Sequence, residues 1–523
     1  MAGVEITVPV RSYESVLRRL VEESFASRLG ARDPDLWGSE AHDEAAKRLA
    51  WVDLARASRP LLPRIAAART DLRAAGLDHV VLCGMGGSSL APEVICAAAG
   101  VDLTVLDSSD PAMVRAAVAD RLEQTVVVVA SKSGGTVETD SQRRAYEDAF
   151  EAAGRKSSDH IVVVTDPGSP LDEYATAAGY RVFRAEPHVG GRYSALTAFG
   201  LVPSGLAGAP LASLLEQAAA VHDASFEDSV ENEALRLGVL LGVAADNDVD
   251  KLVLVDHTGH GVGNWIEQLV AESTGKHGRG ILPVVVADPS EADHLTDDCL
   301  VVAIGTSQVP AAPSGYAAAM DLPLGALMLV WEVATAVAGE ILDINPFDQP
   351  DVEAAKQAAR GLLGDGVELP EPAAVDDGIA IFGSDATTVE DAVAQLLASV
   401  EAPLGYLAVH AYLDRWENAG LAGVRGPLQR KVGRPVTFGW GPRFLHSTGQ
   451  YHKGGTPTGS FLQITAEPSP DLQVPGRDFT FGRFITAQAV GDGSVLVERG
   501  RPVLRLHLTD VPAGLRRLWK ILT

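Results

Sequence analysis

Short apolar runs without polar alternation, separated by longer helical stretches, organise the chain from about residue 79 onward. HVVLCG, DLTVLD, TVVVVA, HIVVVT and YRVF are rich in β-branched residues. Strands of this kind are covered on both faces, as in a parallel sheet flanked by helices. The stretches between them, such as 88–99 and 137–153, are long enough to supply those helices. The pattern predicts a doubly wound α/β domain over 46–205. It returns in KLVLVD, ILPVVV and CLVVAI, which predict a second such domain over 206–363. Beyond GDGVELPEPAAVDDG, a Pro-, Gly- and acid-rich linker near 364–378, the runs IAIFG, LGYLAVHAY, PVTFGW, FLQIT and VLRLHL predict an additional C-terminal α/β region over 364–523. Whether that region is a third domain or completes the second sheet is left open by the pattern. Ala, Leu and Arg at mixed spacing predict helix up to about residue 75, with 1–45 as an N-terminal helical segment.

A chain of 523 residues is too long for one ordinary core, in keeping with two or three domains. Its net charge of −26 argues against nucleic acid and anionic membranes as partners, since both would repel it. An anionic substrate would need locally concentrated positive charge, which singles out Lys132. Cys83, Cys96 and Cys299 show no CxxC spacing, so reduced thiols in a cytoplasm are expected. The start, MAGVEITVPVRSYE, lacks the basic and apolar blocks of a signal peptide. LPLGALMLVWEVATAVAGEIL, from Leu322, carries Pro323 and Glu332 and reads as a buried core helix rather than a membrane span.

Two strand ends carry loops suited to an anion. GMGGSS (84–89) follows HVVLC, and SKSGGT (131–136) follows TVVVVA. Glycines let backbone approach a ligand, helix-terminal N–H groups point at it, and hydroxyls add donors. The plain alternative for either loop alone is a tight strand-to-helix turn with a serine cap. Ser89 stands where a dinucleotide fingerprint needs its third glycine, and the second loop lacks Walker A spacing, so a small phosphate ester is favoured over a nucleotide. Arg192, after two glycines in VGGRYS, is placed to meet an oxyanion, although a lone arginine more often pairs with a carboxylate. Asn264, Gln268 and Glu272 recur every fourth residue of a helix. By periodicity alone that is a solvated polar face; lining a cleft, Glu272 would become a general base. Lys356, in NPFDQPDVEAAK, reads by default as one half of a surface pair with Glu353. His446 and His452, in FLHSTGQYHKGG, show no metal-ligand spacing, and acid–base and structural roles are both open for them.

Together, GMGGSSLAP, SKSGGTVET, VGGRYSALTAFGL, WIEQLVAESTGK, NPFDQPDVEAAK and HSTGQ resemble the motif set of the phosphoglucose isomerase family, which is built from two sugar-isomerase (SIS) domains. The resemblance covers about 80–356 plus the patch around His446. It is strongest to the isomerase half of transaldolase–isomerase fusions, with the transaldolase half expected to be absent. It implies reversible conversion of glucose 6-phosphate and fructose 6-phosphate without cofactor or metal, in the cytoplasm, by a homodimer with shared active sites. It also implies that Ser88, Ser131, Ser133 and Thr136 hold the phosphate, with Lys132 beside them and Gly87 and Gly191 lining the substrate. Glu272 would be the base that moves a proton between C2 and C1, and Arg192 would stabilise the enediolate. Gln268 and Gln349 would hold sugar hydroxyls, Lys356 would act near the ring oxygen, and His446, supplied by the partner subunit, would open the ring.

The motif order departs from the family: the histidine motif follows the lysine motif instead of preceding it. His257, His260 or His452 is then an alternative to His446. Asp351 stands where the family has Gly, which is expected to touch only a helix start. Two other functions compete: an isomerase that also accepts mannose 6-phosphate, and a non-catalytic sugar-phosphate sensor. A sensor has no use for Glu272, Arg192 and Lys356 together.

Overall fold

The computed structural model describes residues 3–9, 12–286, 289–364, 370–401 and 403–523, without the side chains of 289, 293 and 352–356. Part of the expected linker (365–369) and the Lys356 side chain lie outside the described residues.

The first sheet is all parallel, in the spatial order Thr104–Leu106, His79–Gly84, Thr125–Ala130, Ile161–Thr165, Arg181–Arg184. The chain leaves His79–Gly84 towards one edge and then returns to its other side. The topology therefore reverses between His79–Gly84 and Thr125–Ala130, the place where open α/β sheets bind ligands. Gly84 pairs with Ala130 across that switch, so the two anion-type loops leave the sheet side by side.

The second sheet runs Val4–Thr7, Ala317–Met320, Cys299–Ile304, Lys251–Asp256, Leu282–Val286, parallel except for its first strand. Here too the reversal lies beside the strand that leads into a helix, Lys251–Asp256 into Val262–Thr274. Val4–Thr7 corrects the all-helical reading of the N-terminal residues. The C-terminal strands form a sheet of their own, in the order Ala374–Asp376, Ile379–Phe382, Val503–Leu508, Gly459–Ala466, Tyr406–Tyr412, Val436–Trp440, so they do not extend the second sheet. The helix Leu324–Ile341 is the one described helix long and apolar enough to cross a membrane, and residues 325–339 are buried. It packs in the main core, where each buried Leu, Val or Met side chain contributes roughly 1.5–3 kcal/mol.

Buried ion pairs hold the third sheet against the other two. Arg443 donates to Asp107 at 2.6 Å and to Glu93 on the first domain, and Arg425 meets Glu291 at 2.7 Å on the second. Because stripping water from such charges offsets much of their attraction, their main effect is to specify how the sheets dock. The turn Arg443–His446 that carries Arg443 also carries His446, so this docking fixes where the histidine arrives.

Under that turn lies a polar core. Lys453 donates to Asp492 at 2.5 Å, and the Tyr406 hydroxyl meets His452 Nδ1 at 3.0 Å. His410 stacks on Phe444 at 3.7 Å, and neither of its ring nitrogens has a hydrogen-bond partner among the described residues. Burial holds both histidines well below their ordinary pKa of 6.5. The unfolded chain takes up these protons below pH 6.5 while the native fold refuses them, so stability decreases as pH is lowered, by up to about 1.4 kcal/mol per unit for each histidine. The melting temperature is expected to drop between pH 7 and pH 5, and His410→Phe to remove part of that drop. A flat wild-type profile over that range would refute it.

Candidate active site

At the first switch point two glycine loops touch. A Cβ on Gly87 would sit 2.0 Å from the Gly191 carbonyl oxygen, so only glycine lets these backbones meet. Gly86, at φ +55°, faces the backbone of His446 and the Gln268 amide with the same lack of room. Ser88, half-buried, completes the first loop. In the second loop Ser131 is buried and donates to Thr136 Oγ1 at 3.1 Å, while Ser133 is exposed. Thr136 stands at the N-terminal flank of the Val137–Ala152 helix without a side-chain cap bond, so the helix's terminal N–H groups, which carry partial positive charge, stay unmet by it. Lys132 departs from the expected role: its ammonium turns to Asp166 at 2.6 Å and to the Pro187 carbonyl at 3.0 Å. It ties the loop to its neighbour, while the start of the Val137–Ala152 helix adds backbone N–H donors beside the hydroxyls.

The helix Val262–Thr274 brings the candidate base. Gln268 and Glu272 are buried at 3 % and 6 % exposure, whereas Asn264 is exposed, so the polar stripe leaves solvent one turn along. The solvated-face reading is thereby corrected. Gln268 Nε2 donates to Glu272 Oε2 at 3.2 Å and to the His446 carbonyl at 2.9 Å. Arg192 Nη1 lies 3.9 Å from Glu272 Oε2. Its guanidinium donates to Ser273 Oγ at 2.9 Å, to Gln349 Oε1 at 3.2 Å, and to the carbonyls of Pro346 and Asp348 at 2.7 and 2.8 Å. Gln349 thus reaches the site through Arg192.

His446 of the same chain lies at this site, its carbonyl accepting from Gln268. Its Nε2 meets Glu138 Oε1 at 2.9 Å, and Gln488 Nε2 donates to the same oxygen at 2.8 Å. Against a carboxylate oxygen, which accepts, Nε2 is the ring nitrogen that carries a proton in this contact. The alternatives are set aside by position. His452 is in the buried polar core, and His257 and His260 precede the start of the Val262–Thr274 helix, ten residues before Glu272, or about 15 Å along its axis.

Four further residues shape the site. Glu138 orients His446. Lys276 holds the 345–349 segment. Gln450 donates to the Gly275 carbonyl at 2.9 Å and to Asp351 Oδ2 at 2.7 Å. Asp351 also meets Arg499 at 2.6 Å, so it fastens the C-terminal region instead of merely starting a helix. Glu138, Lys276 and Gln450 all lie inside SKSGGTVET, ESTGK and HSTGQ, and membership in those motifs was the available signal.

With this geometry in place, similarity to known proteins becomes informative. The family model described as phosphoglucose isomerase matches residues 66–285. A probable glucose-6-phosphate isomerase of Natronomonas pharaonis is 31% identical over 352 residues, spanning 57% of this chain and 82% of that protein. The chain belongs to the phosphoglucose isomerase family. The glucose-6-phosphate isomerase of Thermosynechococcus vestitus is 28% identical over 351 residues, which cover 54% of this chain and 66% of that relative's length. Among solved structures, a hypothetical protein from Thermus thermophilus is similar with a TM-score of 0.56 and 26% identity, over 68% of this chain and 99% of that one. The phosphoglucose isomerase match contains the phosphate-type loops, Arg192, Gln268 and Glu272; Gln349, Lys356 and His446 lie beyond it. Of these, His446 belongs to the motif whose order is changed.

Proposed function

We propose that this member of the family is a glucose-6-phosphate isomerase, a cytoplasmic enzyme of glycolysis and gluconeogenesis that interconverts glucose 6-phosphate and fructose 6-phosphate. The observation that carries the reading is the meeting of Glu272 and Arg192 at 3.9 Å beside the switch-point loops. The phosphate sits against Ser88, Ser131, Ser133 and Thr136, which supply hydroxyls at a helix N-terminus. His446, oriented by Glu138, moves the proton that opens the ring, and Lys356 acts near the ring oxygen. Glu272 takes the C2 proton of the open aldose. The C2–H electrons form the C1=C2 double bond of the cis-enediolate, and the C1 oxygen takes up negative charge. Arg192 stabilises that charge, which exists only during the reaction, so its effect falls on the rate. The C2 hydroxyl passes its proton to the C1 oxygen, and Glu272 then returns its proton to C1 as the C1=C2 bond gives way to the C2 ketone. Gln268 and Gln349 hold sugar hydroxyls.

The test is turnover of glucose 6-phosphate carrying deuterium at C2. Proton transfer through Glu272 predicts partial loss of label to water, with the remainder at C1 of fructose 6-phosphate. Complete retention at C1 would indicate a hydride shift and remove Glu272 from its role. Binding of the sugar phosphate without conversion would leave a sensor. The homodimer is part of the same proposal, and a single mass by light scattering equal to one chain would exclude it.

A further inference from the structure

Lys276 lies two residues past the Val262–Thr274 helix, and its side chain is 0% exposed. An ammonium has three protons, and here three acceptors meet it: the Asn345 carbonyl, the Asp348 carbonyl at 2.7 Å and Asp348 Oδ1 at 2.6 Å. The Asp348 carbonyl is also one of the two carbonyls that receive Arg192. The other, on Pro346, sits between the two residues that Lys276 holds. Lys276 and Arg192 therefore wind one short segment around two cations. Among the described residues, one hydrogen-bond partner of Arg192, Ser273, comes from outside that segment.

We propose that Lys276 is a positioning residue: its ammonium shapes the 345–349 segment so that the Pro346 and Asp348 carbonyls hold the Arg192 guanidinium beside Glu272. This rests on the isomerase reading, in which Arg192 stabilises the enediolate. The charged groups facing Lys276 are Arg192 from the turn Gly191–Tyr193, Asp348 from the segment and Glu272 from the helix. Burial lowers its pKa from 10.5 to about 7, with Arg192 adding to the fall and Asp348 and Glu272 opposing it. As pH rises through that value the side chain loses its charge and one donor. The segment loosens, and the rate falls on the alkaline side. Phe347 keeps the segment attached in the absence of the ammonium, since its ring packs edge-on to Trp37 at 4.9 Å and against Tyr193 at 5.5 Å.

The test compares fructose 6-phosphate turnover by wild type, K276M and K276R from pH 6 to 9.5, with melting curves for each. A misplaced rather than missing guanidinium is expected to cost K276M about tenfold in kcat, with KM changed less than about threefold and no alkaline limb. K276R keeps its charge throughout, so its alkaline limb is expected at least about one pH unit higher than that of wild type. If K276M does not fold, the K276R limb decides. Full activity in K276M, or an unmoved limb in K276R, overturns the proposal. A wild type inactive on sugar phosphates would sink the isomerase reading and this with it. A wild type abolished by E272Q but indifferent to K276M would sink this alone.

Discussion

Glu272→Gln is expected to lower kcat for fructose 6-phosphate by about a thousandfold, within the range for losing a group that carries a proton in the transition state. The amide keeps the shape of the carboxylate and can still pair with the Gln268 side chain that holds Glu272 at 3.2 Å. It has no basic oxygen with which to take the C2 proton. In the proposed binding mode the phosphate meets the loops after His79–Gly84 and Thr125–Ala130, on a different sheet, so KM should change little. Coupling the glucose 6-phosphate formed to a nicotinamide-dependent dehydrogenase reads both constants. Activity within about tenfold of wild type would leave the proton transfer to another residue.

The strands inside the two switch points were readable because continuous β-branched runs have few other uses. Thr125–Ala130 and Lys251–Asp256 coincide with the runs TVVVVA and KLVLVD. Ala317–Met320 was not readable: alanine has low strand preference, and only the parallel pairing with Cys299–Ile304 makes it a strand. Its other neighbour, Val4–Thr7, is four residues long and joins from more than 300 positions away, a contact no local pattern carries.

The site divides along the same line. Ser131, Thr136, Gln268 and Glu272 follow from local spacing and the motif resemblance, because each acts from the element on which it is written. Lys132 was read as a phosphate cation, yet Asp166 receives it, and nothing between residues 132 and 166 announces that pairing. Arg192 could be read as an oxyanion ligand, but its setting could not: its carbonyl partners on Pro346 and Asp348 lie 154 and 156 residues on. Burial has the same cause. The polar stripe of the Val262–Thr274 helix becomes a site only because the C-terminal region, through His446, and the first glycine loop, through Gly86, cover it.

His446→Ala is expected to cost about a hundredfold in turnover of ring-closed substrate, the lower end for a general acid–base group. The loss arises at ring opening, so Glu138→Gln, which leaves a neutral amide beside the imidazole at 2.9 Å, should fall in the same direction by less. The changed motif order makes the source of this histidine testable. In the structure Gln268 donates to the His446 carbonyl of its own chain, and Arg443, three residues earlier, pairs with Asp107 of that chain at 2.6 Å. On this arrangement we propose that each chain carries a whole site. Mixing His446→Ala with Glu272→Gln protein, after dissociation and reassociation, should recover no activity, because every site holds one defect or the other. Recovery towards a quarter of the wild-type rate or more would mean that histidine and glutamate come from different chains, and that the His446 turn is exchanged between subunits.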